Sequence, residues 1–317
     1  MELVTHEQTI TDPAEWDGSL FGTQLELVQL AGGEFRSRQS VTELRGVQIL
    51  RLKMNQPITV RSRPLTLRYV ATTFDRSHAG HYAGAAIEGG RLLIMPPAFD
   101  FDACVSNSGF HCSSIFVEPE HLRCYYQTLV GEEIREINSL TIARKKATST
   151  QWLADWHRMV TPDSLASFTR QQRHNMQESL RDEALTLLVE ALSTSTTCNT
   201  VGKTPRLSKA RSLVRLAEDF ANSNPENGVR MVDLCHVAGV SERTLQYAFQ
   251  TCLGISPISY LKRLRLHRAR RLLKSADPKR TTVSEIASEC GFWHFGEFAH
   301  AYRAHFDESP SETLRGH

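Results

Sequence analysis

The feature that most constrains the fold of this chain is a helix–turn–helix pattern in residues 232–249. Gly239 permits the tight turn, Val240 fills the angle between the two helices, and Ser241 caps the second helix with its hydroxyl. Apolar residues at three- and four-residue spacings predict the buried face of each helix. These residues are Val232, Leu234, Cys235 and Ala238 in the first helix and Leu245, Ala248 and Phe249 in the second.

The same pattern recurs about fifty residues later, beginning at Thr282, with Gly291 at the turn. One such pattern arises easily by chance, whereas two in tandem are much more specific. The predicted buried positions of this second copy are Val283, Ile286, Ala287, Phe295, Phe298, Ala299, Tyr302 and Phe306. We therefore predict an all-helical domain over residues 209–317.

A basic segment joins the two patterns. Residues 255–280 carry nine Lys and Arg side chains and one acidic side chain, Asp277. Such a stripe attracts polyanions, although a solvated helix face is the alternative interpretation. As a helix, residues 257–274 would span about 27 Å. That length suits two recognition helices in successive major grooves, about 34 Å apart on one face of DNA.

Helical periodicity also predicts which side chains face DNA. On the second helix of each unit, the outward positions would meet the major groove, and arginines on the connecting helix would contact phosphates. The predicted DNA-binding residues are Glu242, Arg243, Gln246, Tyr247, Arg265, Arg268, His294, Gly296, Glu297, His300 and Arg303.

The first half of the chain has a different pattern, with short apolar stretches separated by turn residues. It predicts β-strands at residues 25–30, 47–52, 65–70, 92–95 and 114–117, and hence a β-rich domain over residues 1–150. Residues 151–193 are predicted to be helical. Within them, residues 179–192 have one apolar face, which fits either internal core or a dimer interface. The small, polar residues 194–208 are predicted to be a linker.

The two helical patterns are similar to those of the AraC/XylS family of bacterial regulators. The resemblance covers residues 213–314 and is carried by residues 241–249, 253–257, 261–271, 286–287, 291–292 and 309–310. Residues 244–249 and 291–298 also resemble the ethanolamine-utilisation regulators within that family.

The resemblance implies an α+β multidomain protein. Its N-terminal part would be a cupin-like β-barrel that senses a small-molecule effector, and its C-terminal part an all-α domain with two helix-turn-helix units. It also implies a regulator, usually an activator, that binds double-stranded DNA as a homodimer and contacts RNA polymerase. The effector would be a catabolic metabolite such as an amine or a sugar.

A second resemblance suggests another effector. Asp75, Ser77 and Gly80 have the spacing of half of the PilZ motif for cyclic di-GMP, and Arg61, Arg63 and Arg68 lie upstream. Guanidinium groups in such a site hold phosphates and stack on guanines. The arginines depart from the Arg-x-x-x-Arg spacing of that motif, and an ordinary Asp/Ser/Gly turn is the alternative.

Other function classes find little support. His78, His81 and His111 lack the His-x-His arrangement of a cupin metal site, and the chain has no Gly-rich phosphate loop or Gly-x-Ser-x-Gly nucleophile motif. We therefore predict no enzyme, metal or cofactor, and keep a cupin-type enzyme fused to a DNA-binding domain as the alternative. No run of eighteen apolar residues and no signal-peptide pattern occur, and the seven cysteines are an odd number. These features predict a cytoplasmic protein with reduced thiols and no membrane partner.

Overall fold

A computed structural model describes residues 4–16, 22–75, 79–82, 85–105, 109–134, 137–143, 153, 155, 165–194, 205–225 and 228–316 of the chain. The N-terminal half is built from two antiparallel sheets and the C-terminal half from helices, which confirms the predicted α+β architecture. A short 3-10 helix at Pro13–Glu15 follows the first strand.

The larger sheet has seven strands, all paired antiparallel. Their spatial order is β1 (Val4–Ile10), β3 (Ser37–Leu44), β4 (Val47–Met54), β11 (Phe110–Val117), β6 (Tyr69–Phe74), β9 (Leu92–Met95) and β12 (Thr141–Ala143). The smaller sheet, also antiparallel, contains β2 (Thr23–Gln29), β5 (Ile58–Pro64), β10 (Phe101–Val105), β7 (Ala79–Tyr82) and β8 (Ala85–Glu88) in that order.

The larger sheet is buried on both faces. Successive side chains of a strand point to opposite faces, so Leu50 joins the core between the two sheets while Ile49 joins a second core on the other side. That second core is closed by α1 (Pro119–Val130) and α2 (Arg170–Thr194). Burial of both faces therefore explains why residues 47–52, which were predicted as a strand, are mostly apolar and do not alternate regularly with polar residues.

Helix α2 contains the apolar face predicted at residues 179–192. Leu180, Ala184, Leu187 and Leu188 are buried in the core against the larger sheet. Of the two interpretations left open by the sequence, internal core is therefore the one that the structure shows for this face.

The C-terminal half contains seven described helices. They are α3 (Pro205–Ser223), α4 (Met231–Ala238), α5 (Glu242–Leu253), α6 (Pro257–Ser275), α7 (Val283–Glu289), α8 (Phe295–Phe306) and α9 (Pro310–Arg315). One core joins α3, α4, α5 and the first half of α6, and another joins the second half of α6 to α7, α8 and α9. The single helix α6 thus belongs to both cores.

Two boundaries differ from the sequence prediction. Helix α3 begins at Pro205, within the predicted linker, because proline suits the first helical position; residues 195–204 of that linker lie outside the described residues. The strand predicted at residues 65–70 is wrong over its first four residues, because β6 begins at Tyr69. Leu65 and Leu67 are 66% and 65% exposed, and the N–H groups of Leu65 and Thr66 donate to the carbonyl of Gly22.

The two halves are in contact through β2, β10 and the 3-10 helix. Val28 and Leu30 pack into the core formed by α3–α6. The backbone N–H of Gln29 donates to Nε2 of His267 on α6 over 3.0 Å, a buried bond. Asp12 accepts hydrogen bonds from Arg270 and Lys274, both on α6. The N-terminal half therefore contacts the helix that carries both C-terminal cores.

Among the described residues, none of the helices combines the length and apolar character needed to cross a bilayer. The six described cysteines form no disulfide, and four of them, Cys104, Cys112, Cys252 and Cys290, are buried.

Candidate nucleic-acid interface

The first helix–turn–helix unit consists of α4 and α5. Gly239 ends α4 with a φ of 61°, a left-handed conformation that glycine adopts without strain. The hydroxyl of Ser241 accepts a hydrogen bond from the N–H of Thr244 and so caps α5. Both features were predicted from the sequence, and together they fix the angle at which α5 leaves the turn.

Helix α5 is divided into a buried face and an exposed face. Leu245, Ala248 and Phe249 are buried in the core with α3 and α6. The four predicted DNA-binding residues of this helix, Glu242, Arg243, Gln246 and Tyr247, are all exposed. Gln246 donates to the carboxylate of Glu242 over 2.8 Å, so these two side chains form one polar unit on the surface.

The second unit consists of α7 and α8. Thr282 and Glu285 form a capping box at the start of α7, in which each side chain accepts a hydrogen bond from the other residue's backbone N–H. Gly291 lies in the turn with a φ of 74°. Phe298 and Tyr302 anchor α8 in the core, where their rings lie 5.6 Å apart.

The exposed face of α8 contains the remaining predicted positions. His294, Gly296, Glu297, His300 and Arg303 are exposed. Among the described residues, a Cβ added at Gly296 would meet no atom within 4 Å apart from the adjoining backbone of its own helix, and Gly296 does not have a positive φ. Neither packing nor backbone strain within the chain therefore requires a glycine there.

Two apolar predictions were wrong. Val232 is 63% exposed because it lies two residues, or about 200° around the helix, from the buried Leu234. Phe295 is 46% exposed because Phe292 takes its predicted place, with its ring 4.8 Å from that of Phe298. Trp293, which the sequence analysis missed, is 68% exposed beside Phe295. The position of this tryptophan, two residues before a predicted recognition helix, could have been noted from the sequence.

The two predicted phosphate contacts on α6 are placed differently from the recognition residues. Arg265 donates to the carbonyl of Gly291 over 3.3 Å and lies over the ring of Phe292, so its guanidinium group is used inside the second unit. Burial lowers the pKa of Arg265. Arg268 lies 3.6 Å from the carboxylate of Glu289 on α7 and is about a third exposed. Arg268 therefore remains accessible to an anion, whereas Arg265 positions the turn before α8.

The residues predicted to bind cyclic di-GMP do not converge on one site within the described chain. Arg61 pairs with Asp219 of α3 at 2.7 Å, Arg68 donates to Gln48 of β4, and Asp75 pairs with His111 of β11 at 2.8 Å. Arg63 is exposed near the end of β5, Gly80 lies in β7, and Ser77 falls outside the described residues.

A cavity of about 130 Å³ lies between the two sheets. Its lining is mainly apolar and includes Leu52, Val60 and Phe116, and Arg68 is the one charged residue among the described residues that line it. In the described part of the chain, no group of three or more His, Cys, Asp or Glu side chains is arranged to hold a metal ion. This cavity can therefore accept a small, largely apolar molecule with a polar group near Arg68.

Comparison with known proteins assigns the C-terminal region. A family model described as "Helix-turn-helix domain" matches residues 234–316. The chain is 42% identical over 103 residues to the probable thc operon regulatory protein of Rhodococcus erythropolis, covering 32% of this chain and 31% of that protein. It is 32% identical over 98 residues to XylDLEGF operon transcriptional activator 2 of Pseudomonas putida, covering 31% of this chain and 62% of that protein.

A solved structure of a probable AraC family transcriptional regulator from Rhodopseudomonas palustris is 39% identical to this chain. The match covers 33% of this chain and 95% of that one, with a TM-score of 0.30. The chain thus spans less than two thirds of the length of the two curated relatives, and the residues matched by the family model lie in the helical part. Residues 234–316 of this chain form a helix-turn-helix domain of the AraC family.

Proposed function

We propose that the protein is a sequence-specific DNA-binding transcription regulator, and an activator, that reads DNA with both helix-turn-helix units. The observation that carries this proposal is the division of α5 and α8 into two faces: a mainly apolar face is buried, and the polar side chains of Arg243, Gln246, His300 and Arg303 are exposed. The name of the Pseudomonas putida relative, a transcriptional activator, supports the sign of regulation.

The exposed side chains of α5 and α8 can make different kinds of contact with DNA. A guanidinium group such as that of Arg243 can donate two hydrogen bonds to guanine, and the amide of Gln246 can pair with adenine. His300 and Arg303 can donate to bases or phosphates on the second half of the site. Because α6 has 19 residues, it spans about 28 Å and separates the two units by nearly one turn of B-DNA.

The first test is selection of binding sites by the full chain from a random duplex library, followed by fluorescence anisotropy on the selected site. Arg243→Ala should lower affinity for that site and relax the preference at one base pair by about 1–3 kcal/mol. Arg268→Ala should weaken binding to all sequences alike. As a control for charge, Arg36→Ala removes an exposed arginine of the N-terminal half that pairs with Glu34 and should leave both properties unchanged.

Failure of the wild-type chain to enrich any sequence would remove sequence-specific binding. Equal losses on selected and random DNA in the Arg243→Ala variant would remove base reading by α5. The same proposal includes two further partners, RNA polymerase and a second copy of the chain. Sedimentation with and without DNA tests whether each of them associates with the chain.

We further propose that a small-molecule effector controls DNA binding from the N-terminal half. The largely apolar cavity between the sheets favours a small apolar metabolite with one polar or anionic group directed to Arg68. Cyclic di-GMP is the competing candidate. Calorimetry with cyclic di-GMP on wild type and Asp75→Ala separates the two, because binding that depends on Asp75 would favour the dinucleotide and the absence of binding by wild type would remove it.

A further inference from the structure

A second cavity, of about 300 Å³, lies between the two halves of the protein. Strands β2, β5 and β10 line it on one side and helices α3 and α6 on the other. A cavity needs a volume of roughly 15 Å³ to hold one water molecule, so this one has room for a small metabolite. It is separate from the apolar cavity inside the sheets, and its lining is rich in charged side chains.

Arginine dominates that lining. Five arginines and three carboxylates face the cavity, an excess of two cationic groups (5 − 3). The arginines are Arg61, Arg211, Arg215, Arg268 and Arg271. One of the carboxylates, Glu218, accepts a hydrogen bond from the hydroxyl of Tyr260, and burial raises its pKa, which favours its uncharged form. Outside the lining, Asp219 pairs with Arg61 and Glu289 lies 3.6 Å from Arg268, so the formal excess describes the lining residues alone.

Arg211 is the buried arginine of this lining. The residue is 8% exposed, and its Nε lies 2.7 Å from the carboxylate of Asp102 on β10. Its Nη1 is fully buried and has no hydrogen-bond partner among the described residues. A buried cationic donor without an acceptor costs free energy, and native structures normally supply one, from the protein, from water or from a bound ion. Arg211 thus lines the cavity, and its guanidinium group carries a donor that lacks an acceptor among the described residues.

We propose that this interdomain cavity binds a small anion bearing a carboxylate or phosphate group, with Arg211 and Arg271 as its main ligands. Guanidinium groups hold both kinds of anion through paired N–H donors. The anion would accept from the guanidinium group of Arg211 on α3 and from Arg271 on α6, while Arg61 and Asp102 belong to the facing strands. An occupied cavity would hold the N-terminal half against α6 through Arg61 of β5, because Arg211 and Arg271 both belong to the C-terminal half.

Such a ligand would act on DNA binding because α6 belongs to the cores of both helix-turn-helix units. A ligand shifts a conformational equilibrium by its difference in affinity for the two states. Bound anion favours the arrangement in which the two halves are in contact, and so it changes DNA affinity. This last step depends on the proposed function, whereas binding of the anion can be measured without DNA.

The test uses calorimetry and thermal unfolding of the full chain with inorganic phosphate and, separately, with citrate, in a buffer free of other polyvalent anions. Wild type should bind one of the two at a single saturable site. Arg271→Gln and Arg211→Gln should each raise the Kd about tenfold or more, because each removes a charge-assisted bond. Lys279→Gln, which removes an exposed cation outside the cavity, should bind as wild type does.

Absence of saturable binding by wild type with both anions would overturn the proposal, as would wild-type affinity in Arg271→Gln. A loss confined to Arg303→Gln would also overturn it, since it would place the anion on the exposed face of α8. Because Arg211 is buried, Arg211→Gln is interpreted only if its circular dichroism matches wild type, and otherwise the exposed Arg271 decides. Anion binding without any change in DNA affinity would retain the site and remove only its regulatory consequence.

Discussion

The ion pair between Asp12 and Arg270 joins the two halves of the protein at the level of single residues. Both side chains are less than a tenth exposed, and their closest atoms lie 2.8 Å apart. Arg270 also pairs with Glu308 at 2.7 Å and lies over the ring of Phe306. Although burial opposes ionisation of Asp12, hydrogen bonds from Arg270 and Lys274 hold its pKa below the ordinary value.

Removing one partner of this pair should therefore be costly. We expect Asp12→Asn to lower the free energy of unfolding by about 3 kcal/mol, because it leaves the buried charge of Arg270 under-compensated. Denaturant unfolding of the full chain measures this. Glu15→Gln is the matched control, since Glu15 pairs with Lys274 at an exposed position and should contribute less than about 1 kcal/mol. Equal effects of the two substitutions would show that burial of the pair does not increase its contribution to the free energy of unfolding.

The contact of His267 with His305 predicts acid sensitivity. Burial lowers the pKa of His267 well below 6.5 and that of His305 from 6.5 to about 4, with nearby arginines adding to the effect. Both folded-state pKa values lie below the unfolded value, so the neutral forms favour folding. Their contribution is complete above pH 6.5 and is lost as the pH falls from 6.5 towards about 4.

The loss should approach about 1.4 kcal/mol per pH unit for each histidine in that range. His305→Gln should remove part of this dependence when unfolding free energies are compared at pH values between about 7 and about 5. His300→Gln, at an exposed position of the same helix, should retain the full dependence. An unchanged pH profile in His305→Gln would contradict the assignment.

The sequence could not predict these residue contacts. Arg270 appears in it only as one member of a basic stripe, and its partner Asp12 is 258 residues away. By contrast, the exposure of Arg243, Gln246, His300 and Arg303 followed from helical spacing alone, because one face of a helix is set by a period of 3.6 residues. Local periodicity thus predicts which side chains are exposed and says nothing about their distant partners.

Among the structural elements, α8 contains a residue that its own fold does not explain. Gly296 occupies the first turn, where alanine would favour the helix, and open space surrounds the position of its missing Cβ. We expect Gly296→Ala to leave stability unchanged or to raise it by up to about 1 kcal/mol. If the backbone there approaches DNA closely, the same substitution should weaken binding to the selected site at least several-fold.

Gly228→Ala provides the control for Gly296→Ala. Gly228 also has open space around it and no positive φ, but it lies before α4 and outside the recognition helices. Anisotropy titrations should show wild-type DNA affinity for Gly228→Ala and reduced affinity for Gly296→Ala. If Gly296→Ala binds DNA as wild type does, close approach of DNA at this position is ruled out.

Elements with strong end signals were the ones that the sequence predicted well. Ser241 begins its helix with the predicted capping bond, Thr282 begins the second pattern where predicted, and the turn glycines adopt left-handed conformations. Residues 65–70 show the opposite case. Their alternating leucines satisfy the pattern of a strand, but the backbone after Pro64 bonds to Gly22, a partner that no local pattern encodes.

At the scale of the whole molecule, the sequence predicted the order of a β-rich half and a helical half but not how they meet. The interface is built from groups of β2, of the N-cap of the 3-10 helix and of α6 that are distant in sequence. Each contributes an ordinary polar or apolar residue to its own element, so no local signal marks it as an interface residue. Contacts of this kind depend on tertiary packing, which periodicity and capping do not determine.

Gly32 offers a test of whether this interface controls DNA binding. A Cβ at Gly32 would lie 2.6 Å from the carbonyl oxygen of Ala304 in α8, and Gly33 donates its N–H to the carbonyl of His305. Gly32→Ala should therefore push the N-terminal half away from α8 while leaving the cores of both halves unchanged. Hydrogen exchange should then increase at residues 29–33 and near His267, and the affinity for selected DNA should change several-fold although no DNA-facing residue is altered.

Gly228→Ala again serves as the control, because the added methyl group meets no neighbour. Faster exchange in Gly32→Ala with unaltered DNA affinity would mean that the interface only stabilises the protein. Altered affinity together with faster exchange would mean that contact between the halves sets the arrangement of α6 and α8 that meets DNA. The second outcome is expected, since α6 forms part of both helical cores and contacts the N-terminal half through His267, Arg270 and Lys274.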